Sequence, residues 1–512
     1  DTGMASNLGI GGFLGRIVFA LALVFGTYNP TEYSYISWAF SEGHEFGPVT
    51  ALVGVALLIA WIVFVRATFL SIGWLGIVRL GLVQTALGAI VVLTTSTLNR
   101  VMVVELALPA LLPGVLVALH YFVQISRPRF GHGSDNGRRR TPWIIGGMAV
   151  LGLGGVLAAV ATAWMQTAPT AGIALAVFAF LLIGAGVGAS GTCLLVLLAA
   201  GVPPQRRAAA ASITWIMMIA GFALTAGVVG ANLDPFSFPR LIAITAIVSG
   251  IALSVTVVAV RGLESRLAAP APAPADAPGR ADFRRALADV LAEPHTRRFA
   301  AFVFISMLAY SAQDLVLEPF AGAVFGLTPG ESTQLGGTQH GGVLLGMLIV
   351  ALIGYLAGRG KDGVLRRCMI GGCIGSAALL AGLAVAGYLP ERWPLRVSVF
   401  TLGLTNGIFA VAAIGSMMAL VSRGHRDRDG VRMGIWGAAQ AIAFGLGGVA
   451  GTLAVDVVRA LPGSVVQAYA LVFAGQAFMF ALAAVLAAQI TRPAAGRAQT
   501  GAVAVGAEAG TT

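Results

Sequence analysis

The stretch ALLPGVLVALHYFVQISRPRFGHGSDNGRRRTPWIIGGMAVLGLGGVLAAVATAW, residues 110–164, decides the fold. Residues 110–123 and 143–164 are apolar on all sides, so neither keeps the polar face that a helix at a soluble protein's surface turns to water. A transmembrane β-strand would alternate in polarity over about ten residues, and neither run does. Between them lies a short loop with five Arg, at 127, 129 and 138–140. This is the pattern of two membrane-crossing helices joined by a basic turn.

The same pattern repeats outward. Apolar runs long enough to span a bilayer fall near 8–27, 47–70, 76–98, 107–126, 143–166, 171–200, 212–231, 239–260, 298–325, 340–358, 366–388, 394–422, 431–458 and 464–490, giving fourteen expected helices. Composition agrees: 57% of the 512 residues are apolar and 10% charged, against about 25% charged in a soluble domain. A soluble enzyme is excluded. The net charge of +11 does not imply nucleic acid, because its distribution follows a membrane rule. With both termini placed in the cytoplasm, 27 of the 32 Lys and Arg fall on that side, as the positive-inside rule requires. Cys193, Cys368 and Cys373 lack a C-x-x-C spacing and read as small buried hydrophobes.

A Pro/Ala-rich stretch, APAPAPADAPG (269–279), sits in the one long polar segment and divides the last twelve helices into six and six. The expected organisation is a two-helix hairpin with an aromatic outer loop (1–73), a six-helix half (74–260), a cytoplasmic linker with an amphipathic basic segment (261–297), a second half (298–490) and a disordered cytoplasmic tail (491–512). SITWIMMIAGFALTAG (212–227) and GIWGAAQAIAFGLGGV (434–449) superpose at an offset of 222, with Phe222 on Phe444 and Leu224 on Leu446. Parallel halves of six helices are the layout of major facilitator transporters, although Gly/Ala-rich helices also resemble one another by chance.

Ionisable residues inside apolar spans cost about 2.5–3.5 kcal/mol each at the bilayer centre, so they mark candidate sites. The seventh helix of the twelve carries Gln313, Asp314 and Glu318, the two acids one turn apart on one face. A hydrated pair near the helix end is the alternative. The first helix ends with Asn99, Arg100 and Glu105, and Arg100 is the expected partner of Asp314 or Glu318, unless it is an interfacial Arg. His120 lies well inside the second helix and His340 near the start of the eighth, where it reads as interfacial. In the loop 127–143, Asp135 with Arg138, Arg139 and Arg140 resembles the major facilitator loop latch, one residue short between Asp and Gly; a plain basic loop would also carry the Arg run.

The segments TLNRVMVVEL (97–106), RPRFGHGSDNGRRRTPWIIGGM (127–148), AYSAQDLVLEPFAGAVFG (309–326) and RMGIWGAAQAIAFGLGG (432–448) resemble, in order, the PucC-type proteins, the bacteriochlorophyll delivery branch of the major facilitator superfamily. The resemblance covers about 74–490 and leans towards the peripheral-antenna PucC type over the core-antenna LhaA type. It implies an all-α polytopic membrane protein: a twelve-helix major facilitator bundle of six plus six, with two extra N-terminal transmembrane helices. The implied role is a non-enzymatic assembly factor of purple phototrophic bacteria. It would sit in the inner (intracytoplasmic) membrane and handle bacteriochlorophyll while antenna α and β polypeptides are inserted, with the reaction-centre core as a further partner. Candidate pigment or substrate residues are Asn99, Arg100, Glu105, His120, Gln313, Asp314 and Glu318. His120 or Gln313 is the candidate axial ligand to pigment magnesium, a hard cation that accepts oxygen as well as nitrogen. A proton-coupled transporter and a pigment-free antenna scaffold are the competing functions.

Overall fold

The structure is a computed structural model that describes residues 72–126, 139–264, 294–356, 361–423, 429–460 and 464–490. Residues 1–71 of the N-terminal hairpin, Asp135 and Arg138 of the loop latch, linker residues 265–293 and the C-terminal tail lie outside the described residues, while the end of the expected amphipathic segment, from Pro294, begins the seventh helix.

Twelve helical segments are present among the described residues: α1 (Trp74–Glu105), α2 (Leu111–Val123), α3 (Thr141–Trp164), α4 (Pro169–Gly201), α5 (Pro204–Leu233), α6 (Phe238–Val260), α7 (Pro294–Phe325), α8 (Pro329–Leu356), α9 (Lys361–Ala386), α10 (Leu395–Arg423), α11 (Asp429–Ala460) and α12 (Val465–Ile490). Eleven are long and apolar enough to cross a membrane, and α2 is the shorter apolar one. The chain is a multi-pass membrane protein. Proline stands in the first turn of α3, α4, α5 and α6, where its missing N–H costs nothing.

The helix pairings repeat with a period of six. Within the first half α1 packs on α5 and α6, α3 on α4 and α6, and α2 on α4. Within the second, α7 packs on α11 and α12, α9 on α10 and α12, and α8 on α10. Across the halves α5 meets α8 and α11 meets α2. The segments superposed at an offset of 222 therefore lie in helices with equivalent places in the fold.

Several boundaries differ from the expected ones, and α8 differs most. The eighth helix begins at Pro329, eleven residues before the first apolar residues of its expected span near 340. Ser332, Thr333, Gly336, Gly337 and Gln339 are too polar or too small to read as a span, yet they are buried. They face protein, and hydropathy reports only what faces lipid.

The α8–α10 contact explains part of the glycine excess. Gly342 and Gly346 of α8 interlock with Gly403 and Gly407 of α10, each glycine lying against the partner's backbone. This is the small-xxx-small approach that brings helices close where lipid supplies no hydrophobic drive.

On the face carrying the basic loops, Glu264, just beyond α6, accepts from the backbone N–H of Arg140 (2.5 Å) and Thr141 (2.9 Å) at the start of α3. Burial alone would raise its carboxyl, but these N–H bonds outweigh it and hold the pKa below the ordinary value of 4.5. A folded-state pKa below the unfolded one gives stability that is present above the ordinary glutamate range and lost as pH falls through the depressed value. Glu264→Ala is expected to cost about 1 kcal/mol, the worth of a helix cap. In thermal unfolding the gap to the unsubstituted protein should be full at neutral pH and close on acidification; a gap constant with pH would refute the charged cap.

Candidate functional site

The candidate site lies where α1, α7 and α8 meet, and two helix irregularities prepare it. In α1, π-helical turns at Leu93–Thr97 and Val101–Glu105 flank a single α-helical turn, Leu98–Arg100. Such widened turns re-aim side chains and are frequent at functional positions. In α7, Pro319 lies inside the helix and supplies no N–H to the Leu315 carbonyl four residues earlier. Asn99 Nδ2 donates to that carbonyl at 2.8 Å. A side chain from the facing helix thus satisfies the backbone group that proline frees, as a membrane interior demands.

Glu318, beside Pro319, is 2% exposed. Its Oε1 accepts from the Ser96 hydroxyl at 2.5 Å, while its Oε2 and the Asn99 Oδ1 have no hydrogen-bond partner. Arg100, also 2% exposed, donates to Glu105 Oε1 (2.5 Å), the Leu327 carbonyl (2.7 Å) and Ser332 Oγ (3.2 Å). Its ion pair is therefore with Glu105, five residues on in α1, rather than with Asp314 or Glu318 as the sequence suggested. The intervening π turn, Val101–Glu105, with its i to i+5 repeat, brings the two side chains together on one helix. Gly322 leaves room for the guanidinium, since a Cβ there would lie 2.9 Å from Arg100 Nη2, and Gly336 does the same for the Glu318 carboxylate. Thr97 and Thr333 hydroxyls meet at 3.3 Å across the α1–α8 contact.

The remaining expected residues divide. Asp314 is half-buried and accepts from Gln339 of α8 at 3.4 Å. Gln313, one residue earlier, is fully buried and turned into the second half, where its Oε1 accepts from Asn406 Nδ2 at 3.1 Å and Asn406 accepts from Ser376. It is not part of the α1–α7–α8 cluster. His120 lies in the α2–α4 contact, with Nδ1 2.9 Å from the Val117 carbonyl and its ring against Tyr121. His340 is a correction: it is buried inside α8 with its ring 5.0 Å from Phe222 of α5, and its Nδ1 has no partner. Arg139 is exposed, and Arg140 contributes its backbone N–H to the Glu264 cap. Ser96, Ser332 and Gln339 belong to the site and were missed; hydroxyls and amides in a membrane helix give no hydropathy signal comparable to a charge.

Two six-helix halves with buried polar residues at their junction define a major facilitator fold, and solved structures agree. The chain is similar to a POT family transporter in complex with a thioalcohol-conjugated peptide (TM-score 0.57, 13% identity, 81% of this chain and 97% of that one). It is also similar to a peptide transporter POT in complex with sulfate (TM-score 0.59, 14% identity, 85% and 97%). At such identities the likeness shows the fold alone. The family described as PUCC protein matches residues 97–495, and the chain belongs to it. A family of unknown function, DUF6524, matches residues 11–129 and so overlaps α1 and α2.

Among relatives, the "Bacteriochlorophyll synthase 44.5 kDa chain" of Rhodobacter capsulatus is 54% identical, over 82% of this chain and 96% of that one. An uncharacterized protein of the puhA–bchM intergenic region of Rhodobacter capsulatus is 30% identical (76% and 82%). Protein PucC of Cereibacter sphaeroides is 27% identical (75% and 84%). The chain is thus about twice as similar to the first as to that PucC protein, and these identities do not carry the lean towards the peripheral-antenna type.

Proposed function

We propose that the chain is a non-enzymatic assembly factor for light-harvesting antenna complexes, which takes up bacteriochlorophyll and presents it to antenna polypeptides within the membrane. The observation that carries the assembly role is membership of the PUCC family; the 54% identical relative, named as a bacteriochlorophyll synthase chain, supports the pigment alone, and the non-enzymatic part is tested by the mass of the bound pigment. The geometry adds support for a lateral route. Arg100, Asn99 and Glu318 are enclosed between helices and braced by glycines, so the polar junction serves packing, while the large apolar area lies on the lipid-facing sides, as at Phe122, Leu446 and Phe478. A pigment with an apolar ring and tail needs such a wall and one axial donor. His120 and His340, the imidazoles buried among the described residues, stand as candidates; Gln313 is committed to Asn406. Both termini and the basic face would lie in the cytoplasm of the bacterial inner membrane.

A second reading, proton-coupled transport, draws on one observation: Glu318 keeps an unpartnered buried oxygen while Arg100 is engaged by Glu105. The deciding measurement is the near-infrared spectrum of the detergent-purified protein from a bacteriochlorophyll-making host. A pigment band co-eluting with the protein is expected, and the extracted pigment should have unaltered mass. Altered pigment would point to an enzyme. A colourless protein that drives proton-coupled uptake would establish transport, and a colourless one still needed for antenna accumulation would establish a pigment-free scaffold.

A further inference from the structure

We infer that two carboxylates, Asp234 and Asp456, are paired clasps that hold the two halves together on the face opposite the basic loops and let go in one motion. Asp234, at the end of α5, accepts from Thr328 Oγ1 (2.5 Å) and the Gly330 N–H (3.2 Å) at the start of α8. Asp456, in the last turns of α11, accepts from the N–H groups of Ala110 (2.9 Å) and Leu111 (2.7 Å) at the start of α2. The two positions differ by 222, the offset of the internal repeat. Each carboxylate therefore leaves the fifth helix of its own half and seats on the first turn of the second helix of the other half. There the free N–H groups and the helix dipole favour an anion.

The seams below the clasps are built alike. In the α5–α8 seam, Gly230 lies against the backbone of Gly330, where a Cβ would be 2.6 Å from the carbonyl oxygen, and Phe222 meets His340 ring to ring at 5.0 Å. In the α2–α11 seam, Gly114 lies against Thr452, and Phe444 meets Tyr121 at 5.5 Å. Phe222 and Phe444 also differ by 222. Both seams cross the same boundary between halves, so any rigid-body opening of this face parts α5 from α8 and α2 from α11 together. The clasps thus set access to the junction of Ser96, Thr97, Glu318 and Thr333 from that face. The inference holds whichever cargo the bundle handles.

The test uses the full chain in nanodiscs carrying Thr333→Cys, a buried position paired with Thr97. The rate of N-ethylmaleimide modification is read by mass at the peptide containing residue 333. Slow modification is expected in this parent. Asp234→Ala and Asp456→Ala should each accelerate it about five- to tenfold, the scale of a lost helix cap. The double variant should approach the product, because both clasps break in one opening. The Asn variants, which keep shape and one acceptor oxygen, should fall between. Buried Cys193 and Cys373 should stay unmodified throughout; if they react in an Ala variant it has unfolded, and the Asn variants decide. The inference is overturned if Asp456→Ala leaves residue 333 at the parent rate, since a simple cap on α2 has no effect on α8. It is equally overturned if no substitution changes the rate.

Discussion

Arg100→Met is expected to destabilise the purified protein by about 3–5 kcal/mol, the scale of breaking a buried pair from one side. The guanidinium makes three bonds, to Glu105, Leu327 and Ser332, on a side chain only 2% exposed. Methionine fills similar volume but leaves the Leu327 carbonyl and the Glu105 carboxylate without that donor. The Glu105 side chain is 34% exposed, so water can recover part of its loss and the effect should fall towards the lower end. Adding Glu105→Gln removes the stranded charge, and the double variant should regain a measurable share of the stability, since buried pairs can be replaced by neutral groups at little net cost. Arg100→Lys should not restore the parent, because an ammonium cannot reproduce the planar fork that reaches three acceptors. Thermal or denaturant unfolding in detergent reads all three. A single-variant loss below about 1 kcal/mol, the range of exposed pairs, would show that the site is hydrated and that its enclosure contributes nothing.

The contrast between what could and could not be read from the sequence has a physical basis. Helices facing lipid announce themselves by apolar side chains all round, and a half-to-half offset survives in the residues that pack, so the twelve-helix plan, its repeat and the neighbourhood of Asn99, Arg100, Asp314 and Glu318 were legible. Direction around a helix was harder. Gln313 and Asp314 are adjacent in sequence, yet they point about 100° apart, one towards Asn406 of α10 and one towards Gln339 of α8. The partner of Arg100 was illegible because the two π-helical turns shift the register that ordinary i, i+4 reasoning assumes. The Asn99 bond to the Leu315 carbonyl could have been sought from Pro319 alone, since a proline within a membrane helix always frees the carbonyl four residues earlier. Asp234 and Asp456 were within reach of the 222 offset but lie outside the segments that showed it. His340 was misplaced for the same reason as the start of α8: its neighbours are small and polar and face protein.

The distinction between open and closely packed positions yields the prediction with the sharpest contrast, at two consecutive glycines of α8. Gly342→Leu is expected to destabilise by more than about 3 kcal/mol, whereas Gly341→Leu should be tolerated. A Cβ at Gly342 would run into the Phe400 carbonyl and lie 2.9 Å from the Leu404 nitrogen, both backbone atoms of α10, while a Cβ at Gly341 meets nothing within 4 Å. Overpacking a close-packed site costs about 1–3 kcal/mol when side chains can shift, and more is expected here because α10 would have to move as a rigid helix. Moving it would also disturb Gly403 and Gly407 against Gln339 and Val343, and with Gln339 the bond to Asp314. Composition and helix propensity are identical in the two variants, so lipid insertion and unfolded-state effects cancel in the comparison. Monodisperse yield and unfolding midpoint in one detergent are sufficient readouts. If Gly341→Leu fails as badly as Gly342→Leu, lipid-side crowding or a partner on that face governs the helix. If both are tolerated, α8 and α10 are looser than their backbone contact implies, and the junction they position cannot depend on it.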